Sequence, residues 1–117
     1  MFINLTNHPS EHWGEEQLAA AHRFGEIVDI PFPVIEPTYT KDDILRLVEE
    51  YAKRINGMKA DHIVVHVMGE MTFTYNMVKT LKESCVKCVA STTERLVNLM
   101  PNGTKVSEFV FVQFREY

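Results

Sequence analysis

The apolar positions of this chain fall into two rhythms that alternate along its length. Phe2–Leu5, Glu26–Ile30, His62–Met68 and Val86–Ala90 are short apolar runs bounded by turn-forming residues, and each predicts a strand. In the third run Ile63, Val64, Val65 and Val67 are β-branched and almost continuous, which suits a strand covered on both faces. Between the runs the spacing lengthens. Glu15–Phe24 opens on acidic residues, carries three alanines and closes at Gly25, the marks of a helix. Ile44, Leu47, Val48, Tyr51, Ala52 and Ile55 share one helical face, after a capping-box-like Thr40-Lys-Asp-Asp43 and before Gly57. Thr74–Ser84 predicts a third helix with Met77, Val78 and Leu81 inward, capped by Thr72 or Thr74. Pro31, Pro33 and Pro37 make the intervening stretch an extended loop.

The end of the chain changes character. Ser91–Arg95 predicts a loop, and Arg95–Met100 and Lys105–Arg115 predict a hairpin closed by Pro101-Asn-Gly-Thr104. Phe109-Val-Phe-Val112 is apolar on both parities, which predicts an internal strand. The order βαβαβαβ followed by a hairpin implies a mostly parallel sheet with right-handed crossovers and helices on both faces. The expected architecture is a single small Rossmann-like α/β domain spanning residues 1–117.

Composition narrows the function. A length of 117 residues allows one core and not two. A formal charge of −4 and a pI of about 5.7, with no basic run, exclude a broad face for long nucleic acid. A few converging donors could still hold a small anion. The opening residues have neither the basic region nor the apolar stretch of an export signal or membrane anchor, so a cytoplasmic protein is expected. Cys85-Val-Lys-Cys88 falls between a helix and a strand, not at the strand-to-helix turn of a redox pair, and zinc would need two further ligands. Two reduced, partly buried thiols are expected, with no metal and no cofactor.

In sheets of this kind ligands bind beyond the carboxyl ends of the strands. Three predicted loops meet at that rim: Thr6–Ser10, Gly69–Thr74 and Ser91–Arg95. They present Asn7, His8, Ser10, Gly69, Glu70, Thr72, Thr74, Ser91, Thr92, Thr93, Glu94 and Arg95. Arg95 is the natural anion ligand, since a guanidinium offers a fixed fork to phosphate, although it could equally be an exposed strand residue paired with Glu94. His8 is suited to acid–base work, or is simply a turn histidine before Pro9. Glu70 could orient a ribose hydroxyl, act as a base, or cap the following turn. His66 lies inside a strand and reads as a satisfied core histidine. Trp13 and Phe73 could stack on a base or serve as packing staples. No GxGxxG, Walker lysine, GxSxG or metal triad is present.

At these same positions the sequence resembles a known family. Asn4-Leu-Thr-Asn-His-Pro-Ser10, Trp13, Val67–Thr74, Ala90–Arg95 and the ending Phe109–Tyr117 resemble small stand-alone CRISPR-associated ring nucleases of type III systems. The resemblance covers the whole chain. It implies a compact fold related to the CARF domain and a homodimer that holds cyclic oligoadenylate across its two-fold axis. It also implies metal-independent cleavage by in-line attack of a ribose 2′-OH, which switches the antiviral signal off. On that reading His8, Arg95 and Glu70 are catalytic. Asn7, Ser10, Gly69, Thr72, Thr74, Ser91, Thr92, Thr93 and Glu94 would bind the ring. A sensor or sponge that binds without cutting, and an unrelated nucleotide or sugar-phosphate enzyme, are the alternatives.

Overall fold

A computed structural model describes all residues 1–117. The elements follow in the order β1 (Phe2–Thr6), a 3₁₀ turn (Ser10–His12), α1 (Glu15–His22), β2 (Ile27–Asp29), α2 (Lys41–Asn56), β3 (Val64–Met68), α3 (Met71–Glu83), β4 (Lys87–Leu99) and β5 (Lys105–Glu116). They form an α/β fold with one five-stranded sheet in the order β2-β1-β3-β4-β5. β1 pairs parallel with β2 and β3, β3 pairs parallel with β4, and only β4 with β5 is antiparallel. The chain runs from β1 outward to β2, then crosses back to β3 on the other side of β1. The connections therefore diverge between β1 and β3, the place where open α/β sheets hold ligands.

The two faces of the sheet differ. Ile3, Leu5, Val65 and Val67 face α2 and α3 and join Ile44, Val48, Ile55, Phe73, Met77 and Leu81 in the main core. The opposite parity of β1 and β3 faces α1. There Phe2, Val64, Val89 and Ala21 pack with Trp13, Phe24 and Phe114 in a smaller cluster. The same parity also carries Asn4, Thr6 and His66, the only buried polar residues of the chain.

α2 forms as its sequence predicts. Thr40 Oγ accepts from the Asp43 amide while the Asp43 carboxylate accepts from the Thr40 amide, a complete capping box. Its buried residues Ile44, Val48, Ala52 and Ile55 are drawn from the predicted face. α3 departs from expectation. It begins at Met71 rather than Thr74, because Glu70 and not a threonine caps it. The Glu70 carboxylate accepts from the amides of Thr72 and Phe73 at 2.9 and 2.8 Å. Gly69 is required just before this cap, since any Cβ there would collide with the ring of Phe32.

Two other expectations fail at the carboxyl end. Ser91–Arg95 is not a loop: it lies within β4, which continues unbroken to Leu99. β-branched Thr92 and Thr93 favour extended backbone, and a partner strand satisfies it throughout. β5 is an edge strand, not an internal one. β4 pairs with β3 only over Lys87–Val89, so beyond Ala90 the hairpin leaves the sheet as a two-stranded arm. Its turn is the predicted Pro101-Asn-Gly-Thr104, with Gly103 at φ 86°. Opposite Thr92 and Thr93 the register slips, leaving Val112 as the extra residue of a bulge. The projecting arm explains a radius of gyration of 16.2 Å, against about 13 Å for a compact chain of this length.

Candidate functional site

The divergence between β1 and β3 opens into a cleft of about 830 Å³ on the α1 side. Thr6, Asn7 and His8 form one wall, and His12 to Gln17, at the start of α1, form a second. Met68, Gly69, Ser91 and Thr93 form a third, and Glu108–Phe111 of the arm close the fourth. His66 lines the cleft as well.

Asn4 organises the site. It sits opposite His66 in the β1–β3 register. Its amide nitrogen donates to Asp29 Oδ1 at 2.8 Å and to the His8 carbonyl at 2.9 Å. Its carbonyl oxygen accepts from Thr6 Oγ at 2.9 Å and lies 3.1 Å from His66 Nδ1. With both amide hydrogens committed, Asn4 can offer His66 only an acceptor, so Nδ1 carries the proton and Nε2 a lone pair. His66 Nε2 is buried and has no hydrogen-bond partner. Burial, and then the charge of nearby His8, push the His66 pKa down to about 4, so the ring is neutral at physiological pH. The rings of Phe2, Trp13 and Phe114 surround it, with centroids 6.1, 5.7 and 5.1 Å away.

Asp29 anchors the far end of this chain of bonds. Ser10 donates to it through its amide at 3.1 Å and its hydroxyl at 2.7 Å. Partial burial would raise the Asp29 pKa, but the hydrogen bonds from Ser10 and Asn4 outweigh it and hold the carboxyl below its ordinary value. The His8 carbonyl accepts from Asn4 and the Trp13 indole, and the His8 amide donates to Thr6 Oγ, which pins the 6–13 loop while leaving the His8 imidazole exposed.

The predicted site residues separate accordingly. His8, Asn7, Gly69, Ser91 and Thr93 come together in the cleft. Ser10 supports it from behind through Asp29. Glu70 is held as the α3 cap, its pKa lowered because the bonds from Phe73 and Thr72 overcome desolvation. Thr72 donates its hydroxyl to Glu70, and Thr92 bridges the backbone of Gln113 at the bulge. Glu94 is an exposed arm residue opposite Val110. Arg95 lies out on the arm, donating through Nε and Nη2 to Ser107 Oγ at 3.3 and 3.0 Å. Thr74 borders a different cavity of about 860 Å³ between α3 and Tyr117, an apolar groove that includes Met71, Tyr75 and Val78. Phe73 is core, packed on Phe32 and Tyr51.

Sequence reasoning missed the network of Asn4 and Asp29, and it read His66 as a satisfied core histidine, whereas the structure buries it with Nε2 unpartnered. The signal was present in parity: Asn4 and His66 are polar residues at buried positions of adjacent central strands. The cysteines are one exposed, Cys85, and one buried, Cys88, whose thiol burial pushes up to about 11. No three His, Cys, Asp or Glu side chains converge as a metal site would require. No helix is long and apolar enough to cross a membrane.

These features define an α/β protein with a mostly parallel sheet and a polar, histidine-bearing cleft where its connections diverge. The chain belongs to the uncharacterized protein MJ1673 family, whose model matches residues 1–115. No curated protein and no solved structure matches it.

Proposed function

We propose that this chain is a ring nuclease on a Rossmann-like, CARF-like scaffold, cleaving cyclic oligoadenylate and so switching off type III CRISPR signalling. The observation that carries the reading is the buried His66 imidazole, fixed in one tautomer by Asn4 in a cleft that His8 also lines. Cleavage by in-line transfer needs two proton-handling groups at one phosphodiester. The ribose 2′-OH attacks the adjacent phosphorus and the P–O5′ bond breaks, giving a 2′,3′-cyclic phosphate and a 5′-OH. His66 Nε2 takes the 2′-OH proton, and His8 protonates the departing 5′ oxygen. Ser91, Thr93 and Asn7 hold the phosphate and ribose, and Trp13 and Phe111 offer faces for adenine. His66 thus joins His8 in the acid–base work, while Glu70, to which the resemblance would give the ribose and phosphate, has its oxygens committed to the α3 cap.

The cleft lining includes Glu15, Glu16 and Glu108 and no Lys or Arg. One subunit therefore offers a polyanion only neutral donors and imidazoles. A homodimer holding the ring across its two-fold axis doubles each contact. The test is incubation of purified protein with cyclic tri-, tetra- and hexa-adenylate in EDTA. Linear products ending in 2′,3′-cyclic phosphate are expected, slowed about 10²–10⁴-fold by His8→Ala or by His66→Gln with ring binding retained. Tight binding of rings that stay intact would make the protein a sponge. Turnover of a monomeric phosphate without ring affinity would make it a different enzyme.

A further inference from the structure

The outer edge of β5 is twelve residues long and has no strand beside it. In the hairpin, the Met100 amide donates to the Thr104 carbonyl at 2.7 Å. Alternation from that pair turns the amides of Val106, Glu108 and Val110 toward β4 and those of Ser107, Phe109 and Phe111 outward. The stretch from Val106 to Phe114 contains no proline and one charge, Glu108. Natural edge strands are normally guarded by charges, prolines, bulges or a covering segment; here Lys105 and the Val112 bulge stand at either end, and Ser107–Phe111 between them carries only Glu108.

The arm is also apolar on both faces without anything to cover it. Leu99, Phe109 and Val112 are 72, 68 and 55% exposed, and Leu96, Val97 and Val106 are exposed as well. Val106, Phe109 and Val112 project from β5 beside its free edge, and Leu96, Val97 and Leu99 project from β4 one strand further in. A two-stranded ribbon standing in water is marginal by itself.

We propose that a second copy of this chain pairs antiparallel with the outer edge of β5 around Phe109, joining two five-stranded sheets into one. A two-fold axis produces antiparallel strands automatically, and it sets the outward amides of one β5 against the outward carbonyls of the other. Each copy is thus both strand and template, and no other protein is needed to cover the edge. Glu108–Phe111 line the cleft. Pairing centred there brings the two clefts to the axis, on either side of the joined strands. Arg95, opposite Phe109 in the β4–β5 register, is carried with the arm to that junction.

The pairing rests on the edge of β5 and not on the proposed chemistry. The full chain should sediment at twice its 13.5 kDa mass at micromolar concentration. The amides of Ser107, Phe109 and Phe111 should be protected from hydrogen exchange in the dimer and lose that protection on dilution to monomer. Phe109→Pro removes no bond to β4, because this amide faces outward, and should leave a folded monomer. If that variant unfolds, Phe109→Asp tests the same edge through charge. A monomeric wild type, or a dimer in which these three amides exchange freely, overturns the proposal. A dimer built through another face would do so while leaving the ring-nuclease reading intact.

Discussion

His66 illustrates how one buried residue couples stability to pH. Its folded pKa of about 4 lies below the ordinary 6.5, so the fold favours the neutral ring. The unfolded chain binds this proton more readily, so the stabilisation is fully present above pH 6.5 and is lost as pH falls toward 4. A shift of that size corresponds to about 3 kcal/mol across the window. Urea unfolding at pH 7 and pH 4 should show that loss in the native protein and little of it in His66→Gln. Acid sensitivity persisting in His66→Gln would assign it to other groups. Asp29 and Glu70, whose pKa values are lowered, contribute stability that is present above the ordinary carboxylate range and lost below it. Their window therefore lies at lower pH.

At the level of elements, the sequence was most legible where local chemistry and tertiary packing agree. The Thr40 capping box, the apolar face of α2 and the Asn-Gly turn all form as their residues predict. Legibility failed where a partner strand overruled local appearance. Ser91–Arg95 looks like a polar loop, yet β5 supplies every residue of it with a neighbour. For Glu70 the sequence leaves a base, a ribose ligand and a cap open, and the structure bears out the cap, committing its oxygens to three donors at the head of α3. Glu70→Ala should therefore cost about 1 kcal/mol of stability, the usual value of a lost N-cap. Ring cleavage should proceed at the native rate. Thermal unfolding and a cleavage assay on the same sample decide this, and slower cleavage at unchanged stability would return Glu70 to the catalytic set.

The whole molecule divides into a body that carries the core and an arm that carries none of it. Every buried residue lies at or before Val89, and every residue from Thr93 to Phe109 is exposed. That division was hidden in the sequence, because an apolar strand reads as internal whether a neighbour in the same chain or in a second copy covers it. It has a direct energetic consequence. Replacing residues 97–107 by a two-residue Asn-Gly turn closes the hairpin on the Leu96–Glu108 pair and removes exposed ladder but no core contact. The isolated body should therefore lose no more than about 1 kcal/mol, as surface changes do. The arm also supplies Glu108–Phe111 to the cleft, and these would be left at the base of the shortened hairpin. Near-UV circular dichroism of the truncated chain should retain the signature of the Phe2, Trp13 and Phe114 cluster, and denaturant unfolding should remain cooperative. A truncated chain that is molten would mean the arm stabilises the body through contacts that side-chain burial does not register. A folded one would mean that folding does not need the arm's apolar residues, as association through β5 requires.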